Sequence, residues 1–148
     1  MRTAVVVLAL FAGLLAASAE GSSYVLTVTG EDGRRLWSLP VRSGDEVVLA
    51  YTNSIYLAPT EERLILSPTG FTLTVVRSTS EAVLAYNGLE ASAARVGAFY
   101  TARAVAHLPV LVLRIGRTGR QRLIVGGQEL PLYEAGEGAQ LRVSVVRR

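Results

Sequence analysis

The sequence predicts an all-β domain: a single antiparallel β-sandwich or a partly open barrel of about nine short strands, following an N-terminal signal peptide. Beyond the N-terminal segment, apolar and polar residues alternate with a period of two, and the apolar set is rich in β-branched and aromatic side chains. Gly, Pro, Asn and Asp interrupt this alternation at short intervals, as turns between strands do. No internal repeat, low-complexity linker or coiled-coil heptad is present, so one domain is expected.

The first predicted unit is a β-hairpin. Residues 24–30 alternate, a turn follows at 31–33, and residues 34–41 return as the second strand. Gly33 suits this turn because glycine adopts positive φ without strain. The next strand, 43–54, carries apolar residues on both faces, which is typical of a strand in the centre of a sheet.

A second hairpin is predicted after a loop at 55–60. Its strands are 61–67 and 71–78, with a turn at 68–70. Three apolar side chains of the second strand are predicted to face inward: Phe71, Leu73 and Val75.

The remaining strands follow the same pattern with one gap. Residues 81–86 are predicted as a short strand that ends at Asn87-Gly88, and the alanine-rich stretch 89–106 predicts no regular strand. Four further strands are predicted downstream, at 108–117, 121–127, 128–133 and 139–148.

Residues 1–19 predict a secretory signal peptide. Arg2 precedes an unbroken apolar run over 4–17, and small residues form an A-x-A cleavage pattern that ends at Ala19. The run has 14 residues, whereas a membrane-spanning helix needs about 20. Cleavage after Ala19 would leave residues 20–148 as the all-β domain, in the periplasm or outside the cell. The alternative is an uncleaved N-terminal membrane anchor.

The charge is unevenly distributed along the chain. Residues 24–62 hold three arginines against six acids, whereas residues 63–148 hold eleven arginines against five acids, and the chain contains no lysine. An anionic partner or membrane surface is compatible with the basic part. The simpler interpretation is that arginines solvate the strand faces and discourage pairing between sheet edges.

Residue types that build metal and nucleotide sites are nearly absent. The chain has one histidine and no cysteine, so we expect no metal site, no disulfide and no lipid anchor on a cysteine. The glycine-containing segments lack the strand, glycine loop and helix order that binds phosphates. No cofactor and no nucleic-acid partner are therefore predicted.

The segment "YTNSIYLAPTEERL" (51–64) is the candidate functional or structural corner, because polar residues with local hydrogen-bonding ability interrupt the apolar strands there. Its candidate residues are Tyr51, Asn53, Ser54, Pro59, Glu61 and Glu62.

A structural corner and a catalytic site are the two interpretations of this segment. As a small hydrolase, the protein would use Ser54 with His107 and one of the two glutamates. Ser54 lacks the flanking glycines of a nucleophile elbow, however, and His107 precedes Leu108-Pro109 at the entry of an apolar strand. The structural interpretation is therefore preferred.

Adjacent residues on a strand point to opposite faces, so only one of Glu61 and Glu62 is expected to face inward. An inward carboxylate needs a partner. The candidates are backbone amides of the preceding loop or an arginine, namely Arg63, Arg77 or Arg114.

With these residues, and with "HLPVLVLRIGR" downstream, the chain resembles the bacterial domain-of-unknown-function family 1850, which comprises small exported proteins. In that family a strand ends in an aromatic-x-His-Ser-hydrophobic motif, a loop with a proline follows, and a glutamate opens the next strand. The residues that match are Tyr51, Ser54, Ile55, Pro59, Leu64 and either Glu61 or Glu62. Asn53 stands where the family has histidine.

The resemblance implies an all-β exported domain, often encoded beside solute transporters of the tripartite periplasmic type, and it implies no known reaction. The expected function is a non-enzymatic accessory or binding module of the cell envelope. The expected partner is an envelope protein or a transporter component.

Overall fold

The computed structural model describes residues 24–148, and the predicted signal peptide lies outside the described residues. Eleven strands lie in this part of the chain: β1 Tyr24–Thr29, β2 Arg35–Val41, β3 Glu46–Asn53, β4 Ala58–Ser67, β5 Gly70–Ser78, β6 Ala94–Val96, β7 Phe99–Leu108, β8 Leu111–Arg114, β9 Arg122–Val125, β10 Gln128–Leu130 and β11 Gln140–Arg147. One α-helix, α1 Glu81–Tyr86, and two short 3-10 turns, Glu90–Ser92 and Leu132–Ala135, complete the elements.

The strands form two antiparallel sheets. The smaller sheet has the order β2-β1-β11-β8, and the larger has the order β10-β9-β3-β4-β5-β7-β6. One cluster of buried apolar side chains contains members from both sheets, such as Leu26 and Val143 of the smaller and Leu49 and Leu64 of the larger. The predicted all-β fold is confirmed, in the form of a sandwich.

Alternation along β3 and β4 places the core on one face of each strand. In β3, Val47 and Leu49 are buried, and their partners across β4 are Leu64 and Glu62. The strand β4 begins at Ala58, three residues earlier than the predicted strand 61–67. The predicted loop 55–60 is shorter in the structure because Ala58, Pro59 and Thr60 already pair with β3.

A β-bulge in β5 reverses the alternation that the sequence predicts for this strand. In the ladder between β4 and β5, Arg63 pairs with Val75 and Leu64 pairs with Leu73, which leaves Thr74 as the extra residue. The Thr74 hydroxyl donates to the carbonyl oxygen of Arg63 at 3.1 Å. Because a bulge shifts the facing of all later residues by one, the prediction that Val75 faces inward was wrong.

The buried residues of β5 after the bulge are Val76 and Ser78. Their neighbour Arg77 therefore points to the outer face of the large sheet, away from the small sheet. Strict alternation from Phe71 would have directed Arg77 into the core.

The predicted strand at 81–86 was wrong, since these residues form α1. The segment consists mostly of good helix formers, and six residues are too few for periodicity to separate a helix from a strand. Val83 and Leu84 are fully buried, and α1 contacts β5 and β7, where Ala102 and Ala104 are small enough to let a helix approach. Among the residues that the structure describes, no helix is both long and apolar enough to cross a membrane.

The segment 89–106, for which the sequence predicts no strand, contributes β6 and most of β7. These two strands form a hairpin in which Gly97 has a φ of +61°. The alanines that weaken the apolar pattern lie beneath α1 in β7, so their small size reflects packing against a helix. This hairpin accounts for a strand count above the predicted value.

Trp37 is half-buried and packs against the core cluster from β2. Within residues 24–148, the helical elements are α1 and the two 3-10 turns.

Replacing Thr74 with valine tests the bulge. Thr74→Val removes the hydroxyl that donates to the Arg63 carbonyl while keeping a β-branched side chain, so we expect the free energy of unfolding to fall by about 1 kcal/mol. Denaturant unfolding would measure it, with Thr72→Val in the same strand as the matched control. An equal loss for both variants would contradict a specific role for the Thr74 hydroxyl.

Candidate functional site: the β3–β4 corner and the outer-face cleft

Asn53 organises the turn between β3 and β4. Its Oδ1 accepts hydrogen bonds from the backbone N–H groups of Ile55 and Tyr56, both at 3.0 Å. This is the pattern by which a short polar side chain replaces a backbone acceptor in a turn. Asn53 therefore holds the turn together.

Leu57 ends the turn in an unusual conformation. Its φ is +49°, in the left-handed region, which costs a residue with a Cβ about 1 kcal/mol or more. The side chain is 68% exposed, so burial of Leu57 does not offset this strain. The two hydrogen bonds to Asn53 and the pairing of Ala58 with β3 hold the backbone on either side of it.

A buried polar pair lies directly beneath the turn. Thr60 and Ser78 are buried, and the Thr60 hydroxyl donates to Ser78 Oγ at 3.0 Å. The Ser78 hydroxyl in turn donates to the carbonyl oxygen of Pro59 at 3.1 Å. No local sequence pattern marks Thr60 and Ser78 as a pair, because their cross-strand register depends on the bulge in β5.

Ser54 and His107 are not brought together. Ser54 is exposed in the turn, and its hydroxyl makes no hydrogen bond to any residue of the described range. The end of β7 nearest this turn is at Tyr100, whereas His107 is exposed near the opposite end of the same strand. The two positions are separated by about 20 Å of extended strand.

Glu61 faces outward and joins a row of charged side chains across three strands. Arg77 Nε and Nη2 both lie 2.7 Å from Glu61 Oε2. Arg63 Nη2 lies 3.5 Å from the same oxygen, and Arg63 Nη1 lies 3.2 Å from Glu46 Oε1. The hydrogen bond from Arg77 is the main cause that lowers the pKa of Glu61 below its ordinary value.

Glu62 faces inward, and its partner is Tyr51. The Tyr51 hydroxyl donates to Glu62 Oε1 at 2.8 Å. Burial raises the pKa of the Glu62 carboxyl, and the hydrogen bond from Tyr51 offsets part of that rise. Burial also raises the pKa of the Tyr51 hydroxyl, and the charge of Glu62 adds to the effect.

This pairing corrects the prediction that the inward glutamate binds an arginine or loop amides. Two of the three predicted arginines, Arg63 and Arg77, pair instead with the outward Glu61. The tyrosine hydroxyl reaches Glu62 because both residues lie on the same face of adjacent strands, on a diagonal two register positions apart. The third, Arg114, is exposed in β8.

A cleft of about 470 Å³ lies on the outer face, beside the corner. Three of the six candidate residues line it, namely Tyr51, Pro59 and Glu61. The cleft is also lined by two arginines, Arg120 and Arg122, and by two aromatic residues, Phe99 and Tyr133.

Arg120 differs from Arg122, the other arginine that lines the cleft, in what its guanidinium contacts. Its guanidinium carbon lies 4.7 Å from the centroid of the Tyr133 ring, and within residues 24–148 it makes no salt bridge. In contrast, Arg122 Nη1 lies 3.4 Å from Glu129 Oε2. Arg120 has a φ of +44°, so the backbone holds it in an unfavourable conformation. The cleft therefore presents one guanidinium that has no carboxylate partner in the described part of the chain and that lies next to an aromatic ring.

Arg120, Phe99 and Tyr133 are not predictable from sequence as cleft residues, because a turn, the end of a strand and a 3-10 turn bring them together. The excess of arginine after residue 62 was the only sequence signal that pointed toward them.

A second cleft, of about 530 Å³, lies beside Trp37 and contains none of the candidate residues. Glu31, Asp32 and Glu134 line it together with Arg34. In the described part of the chain, no three His, Asp or Glu side chains gather as a metal site would require.

Asn53 and Ser54 give a matched pair of variants for the turn. Asn53→Ala removes the acceptor of two backbone amides, so we expect the free energy of unfolding to fall by about 1–2 kcal/mol. Ser54→Ala should change it by less than about 0.5 kcal/mol, because the hydroxyl is exposed. Thermal and denaturant unfolding would measure both. A larger loss for Ser54→Ala than for Asn53→Ala would contradict the geometry of the turn.

The two adjacent glutamates should respond to pH in opposite directions. A lowered pKa at Glu61 means that its stabilising contribution is present above its ordinary pKa of 4.5 and is lost as pH falls through the folded-state pKa. Glu61→Gln should therefore reduce the free energy of unfolding by about 1 kcal/mol near pH 7 and by little near about pH 3.

Glu62→Gln is the matched control for that measurement. Its raised pKa means that the folded state loses stability as pH rises from 4.5 through the folded-state pKa. The glutamine can still accept the hydrogen bond from Tyr51 but carries no charge. As pH rises, the free energy of unfolding of Glu62→Gln should therefore increase relative to that of the parent protein. Denaturant unfolding across this pH range would measure the difference in free energy of unfolding between each variant and the parent protein. Differences that change in the same direction with pH for both variants would contradict the assignment of Glu61 and Glu62 to opposite faces.

Comparison with known proteins leaves the chain without a family assignment: no protein-family model matches it, and no curated protein or solved structure matches it either.

Proposed function

We propose that the protein is an exported, non-enzymatic binding module of the bacterial envelope, and that the outer-face cleft holds its ligand. One observation carries the proposal. The cleft brings Tyr51, Pro59 and Glu61 of the candidate corner together with Arg120, which forms no salt bridge with any described residue. Concave sites with a few converging polar groups and aromatic walls are where proteins bind small molecules.

The chemistry of the cleft favours a small organic anion. The Arg120 guanidinium supplies a charged hydrogen-bond donor of the kind that binds carboxylates and phosphates. Phe99 and Tyr133 supply apolar surface beside it. Glu61 and Glu129 also line the cleft, but each is bound to an arginine, which reduces their repulsion of an anionic ligand.

The separation of Ser54 from His107 supports a binding function over hydrolysis. Ser54 projects from a turn, and a strand length of about 20 Å separates it from His107. A nucleophile and its base need hydrogen-bond contact, directly or in the substrate complex. The alternative of a small hydrolase therefore has no support from the arrangement of these two residues.

Export and association with a solute transporter are parts of the proposal that depend on the sequence. The apolar run and A-x-A pattern of residues 1–19 support export. The resemblance to the domain-of-unknown-function family 1850 supports an accessory role beside a transporter.

Calorimetric titration with a panel of organic mono- and dicarboxylates would test the cleft. We expect binding by at least one of them, and we expect Arg120→Gln to weaken it about tenfold because one charged hydrogen bond is lost. Arg42→Gln, at an exposed arginine in the turn between β2 and β3, is the matched control. Nuclear magnetic resonance shifts confined to Phe99 and Tyr133 would locate the ligand.

Two results would contradict the proposal. Binding that Arg120→Gln leaves unchanged would move the ligand out of the cleft. Turnover of an ester or amide by the parent protein that Ser54→Ala abolishes would establish the hydrolase instead.

A further inference from the structure

The turn between β3 and β4 exposes an apolar tip, which we define as Ile55, Tyr56, Leu57 and Tyr86. These side chains are 59%, 40%, 68% and 66% exposed, respectively. Single exposed apolar residues are ordinary on protein surfaces, but consecutive ones that share a contact form a patch. Tyr56 and Tyr86 make that contact, with ring centroids 6.4 Å apart in an edge-to-face arrangement.

The tip is held in its exposed conformation. Asn53 binds the N–H groups of Ile55 and Tyr56 from below. The left-handed backbone of Leu57 directs its side chain outward at a conformational cost, although Asn or Gly would fit the same backbone better. A leucine at this position places apolar surface in solvent, where it contributes nothing to the core.

Positive charge lies next to the tip. The backbone N–H of Thr52 donates to the carbonyl oxygen of Gly119 at 2.7 Å, which joins the loop 116–121 to the start of the turn. Arg117 and Arg120 of that loop are exposed. Neither the loop nor the stretch 51–60 contains an aspartate or glutamate. The loop 116–121 therefore brings cations to the end of the sheet that carries the tip, while the exposed Glu81 and Glu90 lie near Tyr86 in the sequence.

From this arrangement we propose that the apolar tip docks the domain onto an anionic lipid surface. Ile55 and Leu57 enter the acyl boundary, and Tyr56 and Tyr86 lie at the level of the headgroups, where amphipathic aromatic rings are favoured. Arg117 lies close to lipid phosphates. The proposal is independent of a ligand in the outer-face cleft.

The size of the tip favours lipid over a protein partner. A standard protein interface buries about 800 Å² on each partner. Even an aromatic side chain buries only about 150–250 Å², and the four side chains of the tip are 40–68% exposed. Reversible binding to a membrane surface needs only a few inserted apolar groups and nearby cations.

Vesicle binding would test the proposal, using the chain from Glu20, since both sheets and the core lie within residues 24–148. The probes are vesicles of phosphatidylglycerol and phosphatidylcholine in equal parts, compared with phosphatidylcholine alone. We expect co-sedimentation with the mixed vesicles that weakens as salt is added, because salt screens the attraction of arginine to phosphate.

Leu57→Asn separates lipid binding from folding. Asparagine tolerates the left-handed backbone, so the variant should unfold at the same temperature as the parent or a higher one. Loss of the inserted side chain should weaken vesicle binding about tenfold. Arg117→Gln should weaken it about fivefold on mixed vesicles only. Val105→Thr, at a 92% exposed residue of β7 away from the tip, should leave binding unchanged.

A fluorescent probe would locate the contact directly. The chain has no cysteine, so Ile55→Cys and Val105→Cys each provide one site for an environment-sensitive label. A blue shift on mixed vesicles at position 55 and none at position 105 is expected. Absence of vesicle binding, binding that Leu57→Asn leaves unchanged, or equal shifts at both positions would overturn the proposal. A protein partner lost with Leu57→Asn in the absence of vesicle binding would also overturn it.

Discussion

The bulge at Thr74 determines which polar groups of the large sheet meet solvent. Without the extra residue, the alternation that buries Phe71 would carry Arg77 into the sandwich, where a guanidinium costs several kcal/mol unless it is fully paired. The bulge instead directs Val76 and Ser78 inward and Arg77 outward. The ion pair on the outer face and the buried pair of hydroxyl groups both depend on this single irregularity.

The two neighbouring glutamates show how the same residue type takes different roles on the two faces of a strand. Glu61 lies among arginines at the surface, where its charge is favourable, and Glu62 lies under a tyrosine, where burial opposes its charge. The Tyr51 hydroxyl binds Glu62 on the inner face, and the same residue borders the outer-face cleft.

Much of the fold was predictable because alternation and turn residues are local signals. The hairpins β1–β2 and β4–β5 and the inward residues of β11 follow from them. The bulge was not predictable, since it depends on how β5 pairs with its neighbours. The helix α1 has too few residues to show a period, and the alanines of β7 have meaning only beneath that helix.

The site was predictable in part, for the same physical reason. Asn53 and the opposite facing of Glu61 and Glu62 follow from local chemistry and strand geometry. Partners on different strands or loops do not follow from local chemistry. Tyr51 is distant in sequence from Glu62, which it binds, and Tyr133 is distant in sequence from Arg120, which lies against its ring.

The pairing of β1 with β11 has a consequence for how the chain folds. These strands lie side by side in the middle of the small sheet, with Leu26 opposite Val145 and Val28 opposite Val143. The small sheet and the core can therefore form only after β11, the last strand in the sequence, is available to pair with β1. During synthesis the preceding strands remain without their central neighbour, and loop closure between such distant segments is slow.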